Sequence, residues 1–436
     1  MAGKGTFTLA ATGDALITRR ISPYKDPEFL DMLKLIRSAD VAFTNLEMLL
    51  HRYEGFPAAE SGGTYCVAEP QMADELVWAG FHMVSRANNH SLDWSDGGLS
   101  ATSRECDRAG LVHAGVGPNL SQARSPAYLD FAKGRAALLS ASSTFASFGR
   151  AGNQRPDMPG RPGLNPLRYD TTYVVTAEEM AQVKKMAGDL GLEYLRQKRV
   201  AMGFEGSGDP SSYSFGPMKF VVGDKPGIRT TPHKGDMEGN LKFIRDAARQ
   251  ADWVFFSLHA HEANVDKEIP ATFIQPFAKA CIDAGTTAFI GHGPHVLRGI
   301  EVYKGKPIFY SLGNFIFQNE SVRYLPADVY ERYGLGYENT PADLYDIRTG
   351  KDTKSFPSEA AFWESVLAIC TFEDDEMTEC TLYPLTLGFG GTRAKRGRPE
   401  LAKGALAEKI IGGLADLSKP FGTTIHYEAG AGKVEL

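Results

Sequence analysis

The chain has 436 residues, of which 43% are hydrophobic and 23% are charged, a composition typical of a folded globular protein. Its formal net charge is −6 and it carries no extended basic patch, which argues against nucleic acid or an anionic membrane as a partner. No apolar run is long enough to span a bilayer. The five cysteines are scattered without a CxxC pair, so we expect reduced thiols and no disulfide framework.

The first third of the chain alternates between predicted strands and helices. Apolar runs and period-2 alternation predict strands over residues 6–12, 40–46, 81–85, 111–116 and 135–141. Helical spacing of apolar residues predicts helices over 27–38, 70–80 and 95–110, the second ending at a glycine. This repetition is typical of βαβ units, and it predicts an α/β layered core.

The middle of the chain departs from that repetition. Residues 144–170 are rich in glycine and proline, and a loop this long is usually functional or disordered, so we interpret it as a lid. A long polar helix over 176–203 and a loop over 206–217 complete an insertion near 144–215. The α/β pattern then resumes with strands over 218–222, 253–258 and 287–290, helices over 237–252 and 276–285, and a hairpin over 300–310.

The last part of the chain contains an irregular segment and a final strand pair. Residues 318–360 lack periodicity, and the four tyrosines within residues 325–356 suit the wall of a substrate groove. Within residues 361–436 we predict strands over 365–372 and 379–387 and a helix over 401–417. The short basic run over 393–398 is interpreted as a solvated turn. Together these features predict a single domain spanning residues 1–436.

Polar residues follow five of the predicted strands. They are Gly13-Asp14, Asn45-Leu46-Glu47, Asn88-Asn89-His90, His259-Ala260-His261 and Gly291-His292-Gly293-Pro294-His295. Each alone has an ordinary explanation as a cap, a turn residue or a buried polar group. Because open α/β sheets bind their ligands at the ends of successive strands, the recurrence predicts one shared site. Its carboxylates and imidazoles are the groups that transfer protons and bind divalent metals.

The order of these motifs, together with Asp93 and the stretch from Tyr310 to Phe315, resembles the CapA family of poly-γ-glutamate capsule proteins over roughly residues 6–317. The resemblance implies a calcineurin-like metallophosphoesterase fold, an α-β-β-α sandwich of two stacked mixed sheets flanked by helices. It also places His90 where a histidine contacts developing negative charge. The residues at metal-ligand positions would be Asp14, Glu47, Asn89, His259, His292 and His295.

The sequence departs from that family pattern at several positions. Asp14-Ala15-Leu16 lacks the histidine of the usual Asp-x-His, His259-Ala260-His261 replaces His-Trp-Gly, and Gly293 stands where a third histidine is common. These losses argue against a two-metal site and leave one metal or none. Capsule-type members also carry an N-terminal membrane anchor, which the stretch from Met1 into the first strand does not resemble. We therefore expect a cytoplasmic protein.

Three functions remain open. The favoured one is an isomerase that epimerises Cα of a residue in a ribosomal, lasso-type precursor peptide without metal or cofactor, because the chain also resembles the epimerases that act on tryptophan in such peptides. The alternative is a hydrolase of phosphoesters or γ-glutamyl chains that uses Mn, Zn or Fe. The third is a binding protein that has kept only the frame, which the number of titratable groups argues against.

The isomerase hypothesis assigns a role to each candidate residue. Proton transfer and enolate stabilisation would fall to Asp14, Glu47, His90, His259 and His295. Substrate binding would fall to Asn89, Arg86, His261, His292 and Asn314. The expected partner is a peptide substrate, no cofactor is expected, and the oligomeric state is left open.

Overall fold

The fold is described from a computed structural model, which covers residues 5–436; residues 1–4, the start of the N-terminal stretch considered above, lie outside the described residues. The α-helices are α1 Pro27–Ser38, α2 Met72–Ala79, α3 Ser95–Ala109, α4 Leu120–Arg124, α5 Ala177–Asp189, α6 Leu192–Ala201, α7 Lys234–Ala247, α8 Ile274–Asp283, α9 Ala327–Arg332, α10 Pro341–Thr349 and α11 Gly404–Ser418. The strands are β1 Thr6–Leu16, β2 Val41–Leu46, β3 Leu49–Leu50, β4 Val67–Ala68, β5 Met83–Ser85, β6 Val112–Ala114, β7 Val116–Gly117, β8 Ala127–Phe131, β9 Gly134–Ser142, β10 Gly163–Leu164, β11 Tyr169–Val175, β12 Ser212–Phe215, β13 Met218–Val222, β14 Gly227–Pro232, β15 Trp253–His259, β16 Ala288–His292, β17 Leu297–Tyr303, β18 Lys306–Leu312, β19 Asn314–Phe317, β20 Glu364–Glu373, β21 Glu376–Thr386, β22 Glu400–Leu401, β23 Ile425–Glu428 and β24 Ala431–Val434.

Two mixed sheets form the centre of the protein. The first has the strand order β23-β24-β21-β20-β1-β2-β5-β6, with β19 also paired to β1 and β22 to β21. The second has the order β17-β18-β16-β15-β9-β8. In the first sheet β1, β2, β5 and β6 run parallel, and in the second β9, β15, β16 and β18 do so. Within each sheet, the carboxyl ends of the parallel strands therefore lie at a common edge.

Side-chain alternation along the strands determines the layers. Phe7 and Leu9 of β1 pack against Trp253 and Phe255 of β15, with the rings of Phe7 and Trp253 stacked at 4.5 Å. The intervening Ala10 faces the opposite way, into the core that contains the buried face of α1 and α2. Because successive residues of a strand point to opposite faces, one sequence pattern builds both interfaces.

The second sheet is covered in the same manner on its outer face. Val254 and Phe256 of β15 pack with residues of α7 and α8, including Ile244 and Phe277. The helix α11 packs against the edge of the layer between the sheets through Ile411 and its apolar neighbours. The protein is therefore an α/β structure of two stacked mixed sheets flanked by helices, as the sequence predicts.

The structure corrects three details of the sequence prediction. The helix expected over 176–203 is two helices, α5 and α6, because Gly191 between them adopts a left-handed φ of 72°. The irregular segment 318–360 contains α9 and α10. The basic run over 393–398 is not simply solvated, since Arg396 is 4% exposed and pairs with Glu320 and Asp352.

The region around 144–215 is more ordered than the predicted loop. From residue 169 onward it contributes β11 and β12 to a separate four-stranded sheet of order β12-β13-β11-β14. Its first half is anchored where Arg168 and Arg124 both pair with the buried carboxylate of Asp236. A role for this region as a lid stays a prediction.

Gly13 lies where β1 and β19 approach most closely. A Cβ at this position would sit 1.8 Å from the carbonyl oxygen of Gly313, which also accepts a hydrogen bond from Asp14 N. We expect Gly13→Ala to lower the free energy of unfolding by about 1–3 kcal/mol through overpacking, measured by urea denaturation. Gly412→Ala on the exposed face of α11, where nothing lies within 4 Å, is the matched control and should raise it by about 0.5–1 kcal/mol. Equal effects of the two substitutions would contradict this packing account.

His113 of β6 should make the free energy of unfolding depend on pH. Burial and the nearby charge of Arg86 lower its pKa to about 4. Because an unfolded chain holds this proton with a pKa of about 6.5, the free energy of unfolding should fall as the pH drops from about 6.5 to about 4, by up to about 1.4 kcal/mol per pH unit. His113→Gln should remove this part of the slope in denaturation curves recorded across that range. The exposed His426→Gln should leave the slope unchanged.

Candidate functional site

The carboxylate of Asp14 joins the two sheets at the edge where their parallel strands end. Asn45 of β2 donates from Nδ2 to Asp14 Oδ1 at 2.8 Å, and the backbone N–H of Gly293, which follows β16, donates to Asp14 Oδ2 at 2.9 Å. Asp14 is completely buried. Both of its oxygens are therefore held by donors, one from each sheet.

Two histidines of the second sheet face this carboxylate. His259 of β15 and His292 of β16 are register partners, and their Nδ1 atoms are 3.0 Å apart. His292 Nδ1 lies 3.3 Å from Asp14 Oδ1, while its Nε2 lies 2.6 Å from the hydroxyl of Ser257. Because two nitrogen lone pairs repel at such a distance, a proton or another cation must lie between the rings or one ring must donate to the other.

His295 is held in an unusual backbone conformation. Its φ is 61°, in the left-handed region that non-glycine residues rarely adopt, and such strain is often found at functional sites. Its Nδ1 lies 2.9 Å from Asn314 Oδ1, so the side-chain amide oxygen accepts from Nδ1–H. This leaves the lone pair of Nε2 directed toward Glu47 Oε1, which is 3.7 Å away.

Glu47 lies at the centre of the cluster without a hydrogen bond. Both carboxyl oxygens are buried and have no partner among the described residues. Oε1 lies 3.6 Å from His259 Nε2, 3.7 Å from His295 Nε2 and 3.9 Å from His90 Nε2. A buried carboxyl group with no donor is costly unless it carries a proton or neighbours a cation.

His90 belongs to the loop after β5 and is paired with Asp93. Its Nδ1 lies 2.6 Å from Asp93 Oδ2, and the same oxygen accepts from the backbone N–H of Cys66 at 2.9 Å. Asp93 Oδ1 accepts from the N–H of Gly62 at 3.0 Å. The aspartate thereby orients the imidazole and fixes the neighbouring 62–66 turn against it.

The environments of these groups push their pKa values in different directions. Burial and the charge of Asp14 raise the pKa of Glu47 well above its usual value. Burial tends to raise the pKa of Asp14 as well, but the hydrogen bond and charge of His292 outweigh it and lower that pKa. These shifts favour the neutral acid form of Glu47 and the carboxylate form of Asp14.

The histidines are divided in the same way. Burial lowers the pKa of His259, His261 and His295, that of His261 to about 3. Burial acts in the same direction on His90, but the charges of Cys66 and Asp93 raise its pKa well above the usual value. The shifts thus favour the neutral form of His259, His261 and His295 and the cationic form of His90.

A cavity of about 320 Å³ opens over this cluster. Among the predicted site residues, Asn89, His90, His261 and His295 line it. Asp14, Glu47, His259, His292 and Asn314 lie beneath these residues, completely buried. Arg86 is not brought to the site, because its guanidinium donates to the carbonyl oxygen of Leu99 and the hydroxyl of Ser103 in α3.

Sequence reasoning missed much of the cavity wall. Arg348, Phe356 and Phe362 line it from the 318–360 segment, and Lys267 lines it from the loop after β15. That segment therefore walls the cavity as predicted, but not through its tyrosines, of which Tyr345 is buried and Tyr337 is fully exposed. Cys66, interpreted from the sequence as one of the core cysteines, also lines the cavity. No spacing in the sequence indicates these residues.

Residues 8–319 match the sequence model of the family described as bacterial capsule synthesis protein PGA_cap. The chain belongs to this family. It is 37% identical to the uncharacterized protein y4sH of Sinorhizobium fredii, over 99% of this chain and 93% of that protein. It is 23% identical to the capsule biosynthesis protein CapA of Bacillus anthracis over 71% of this chain and 60% of that one, and 32% identical to the PGA biosynthesis protein CapA of Bacillus subtilis over 36% and 40%.

The residues of this CapA-family site fit a divalent cation. Three groups each bring ligand atoms within 4.8 Å of one another: Asp14, His259 and His292; Glu47, His261 and His295; and, at the cavity wall, Cys66, His90 and Asp93. His295 and His292 each use one ring nitrogen on a protein partner and direct the other into the cluster, as metal-binding histidines do. Asn89 donates from Nδ2 to Gly62 O, and its buried Oδ1, which has no partner among the described residues, is free to bind a cation. Mn, Zn or Fe would suit this set of donors.

No helix within residues 5–436 is both long and apolar enough to cross a bilayer. This agrees with the sequence, in which only short apolar runs occur. A cytoplasmic location stays a prediction.

The two buried carboxyl groups should respond differently to amide substitution. Glu47→Gln replaces a neutral acid that accepts no hydrogen bond, so we expect little change in stability. Asp14→Asn places an NH₂ group against the donors Asn45 Nδ2 or Gly293 N, and should lower the free energy of unfolding by about 1–3 kcal/mol. Urea denaturation in the presence of a chelator measures both. A larger loss in Glu47→Gln would show that Glu47 is charged in the folded protein.

Proposed function

We propose that this CapA-family chain is an enzyme of the calcineurin-like phosphoesterase frame that performs acid/base chemistry on a peptide. Its favoured reaction is epimerisation at Cα of a residue in a ribosomal, lasso-type precursor peptide. Inverting Cα requires one group to remove the proton and another to return a proton to the opposite face. It also requires stabilisation of the enolate that forms between the two steps.

The observation that carries the proposal is the pair of histidines at the cavity. His295 follows β16 of the second sheet and His90 follows β5 of the first, and their Nε2 atoms lie 3.7 Å and 3.9 Å from Glu47 Oε1. The lowered pKa of His295 makes it a base near neutral pH, and the raised pKa of His90 makes it a proton donor. Environments that separate two pKa values in this way are typical of acid/base pairs.

The buried residues would support these two groups. Asn314 holds the ring of His295 through Nδ1, and Asp93 does the same for His90, so that each Nε2 faces the cavity. Glu47 lies within 4 Å of both rings, so between turnovers it can give a proton to His90 and take one from His295. Asp14 would act by its charge, since it touches His292 and lies 3.7 Å from His295 Nδ1.

The cavity wall is suited to a peptide side chain. Phe356 and Phe362 offer apolar surface, and the backbone of the turn at Gly62 and Gly63 lines the opposite part of the cavity. Exclusion of water by such a wall would strengthen each charge–dipole contact at the enolate. A ribosomal peptide would meet the enzyme in the cytoplasm.

The second candidate function is a metal-dependent hydrolase of phosphoesters or γ-glutamyl chains. It is favoured by Glu47, whose two oxygens lack partners while three imidazole nitrogens converge on one of them. A divalent metal bound there would supply an activated water and polarise the ester or amide. In that case Asp14, His259, His292, Glu47, His261 and His295 would hold the metal.

Two measurements on one preparation test the proposal. Protein purified without chelator or metal-affinity tag is analysed for metals by plasma mass spectrometry, and then incubated with candidate peptides in D₂O. We expect well under one equivalent of Mn, Fe or Zn and deuterium uptake at one Cα, reduced by about 10²–10⁴-fold in His295→Asn. The control is the surface variant His426→Asn, whose side chain is 55% exposed.

The two candidate functions give opposite results in this experiment. The hydrolase function would be supported, and the epimerase function rejected, by two results together. The first is about one or two equivalents of metal that are lost in both Asp14→Ala and His295→Asn. The second is metal-dependent release of nitrophenol from p-nitrophenyl phosphate. Full deuterium uptake in folded His295→Asn would show that this cluster is not the catalytic site.

A further inference from the structure

Cys66 differs from the other cysteines of the chain in its surroundings. All five are unpaired and buried. Cys106, Cys281, Cys370 and Cys380 pack into the apolar clusters of the core. Cys66 also lines the cavity, where it lies beside Asn89 and His90. It is therefore the cysteine that a small molecule entering the cavity would meet.

Three side chains at this wall form a thiol–imidazole–carboxylate series. Cys66 Sγ lies 3.9 Å from His90 Nε2, and His90 Nδ1 lies 2.6 Å from Asp93 Oδ2. Asp93 also accepts from the N–H of Cys66 at 2.9 Å, so the carboxylate fixes both the ring and the backbone that carries the thiol. Nucleophilic thiols are commonly activated by a base that is oriented in this way by a third group.

The buried carboxyl group of Glu47 also lies close to His90. Glu47 is fully buried, its carboxyl oxygens have no partner among the described residues, and Oε1 lies 3.9 Å from His90 Nε2. His90 Nε2 thus faces a thiol and an unpartnered carboxyl group. The imidazole is therefore in contact with both the Cys66 sulfur and a buried carboxyl group.

We propose that Cys66 is a reactive thiol site for small disulfide-type electrophiles, activated by His90 and Asp93 and reached through the cavity. In the reaction, Cys66 Sγ attacks one sulfur of R–S–S–R, a Cys66–S–S–R bond forms, and the original S–S bond breaks. Cys66 attacks as the thiolate paired with the cationic ring of His90, and His90 Nε2 gives its proton to the departing R–S⁻, which leaves as R–SH. A thiol of the same class reverses the step, so no other oxidant or reductant is required.

Capping of this thiol would regulate the site beneath it. An added group on Sγ would occupy the space in front of His90 and fill part of the 320 Å³ cavity. Loss of turnover on capping rests on the proposed function, in which His90 contacts the substrate. The reactivity of the thiol does not rest on it, and it is measured without turnover.

The test uses methyl methanethiosulfonate, a small reagent that transfers CH₃S to a thiol and releases methanesulfinate. The intact protein is treated at neutral pH, and peptide mapping by mass spectrometry follows the modification of each cysteine over time. We expect Cys66 to react at least about tenfold faster than the other four cysteines. His90→Gln should slow the reaction at Cys66 by at least about tenfold, and Asp93→Asn should slow it less.

Two controls make the result specific. His82→Gln, a histidine whose Nδ1 accepts from Ala42 N away from the cavity, should leave the rate at Cys66 unchanged. Cys66→Ala should remove the fast phase altogether, with the fold verified by near-UV circular dichroism. Any of three results would overturn the proposal: Cys66 stays unmodified in folded protein, Cys66 reacts in His90→Gln at the same rate as in the unsubstituted protein, or another cysteine reacts as fast as Cys66. If Cys66 is labelled rapidly and in a His90-dependent manner but the capped protein shows undiminished deuterium uptake, Cys66 is a reactive thiol and its capping does not regulate turnover.

Discussion

Desolvation of two carboxyl groups, those of Asp14 and Glu47, is the constraint on which this site depends. Asp14 keeps its charge because Asn45 from one sheet and Gly293 from the other donate to its two oxygens, with His292 alongside. Glu47 receives no such donors, and its burial raises its pKa. The stacking of the sheets places both groups under one cavity, so the packing of the core and the ionisation of the site are linked. Any change that separates the sheets would expose Asp14 and release its histidines together.

The position of the cluster in the chain could be predicted because strand ends are local features. Apolar runs locate β1, β2, β15 and β16, and the polar residues that follow them converge because parallel strands end at one edge. The boundaries of α1 agree with the prediction, since its four buried apolar residues follow helical spacing and a proline begins it. Local pattern and tertiary structure agree in these elements.

Other features depend on contacts that a local pattern does not encode. Arg86 follows a strand just as the site residues do, but its guanidinium bonds to α3 and points away from the cavity. Arg396 lies in a basic run typical of a solvated turn, but Glu320 and Asp352, which are distant in sequence, bury it. Cys66 resembles the other scattered cysteines until the pairing of its backbone with Asp93 places it beside His90. In each case a long-range ion pair or hydrogen bond determines the role of the residue.

Arg396 holds in place a part of the chain that follows the region shared with the family. The family match covers residues 8–319, which contain every imidazole and carboxylate of the cluster, whereas Arg348, Phe356 and Phe362 of the cavity wall follow it in the chain. Arg396 ties that later stretch to Glu320 and stacks over Trp363, with 5.3 Å between its guanidinium carbon and the ring centroid. The imidazoles and carboxylates of the cluster and these three residues of the cavity wall are thus encoded in separate, consecutive parts of the chain. Evolution can therefore change this part of the cavity wall while the cluster beneath it is inherited intact.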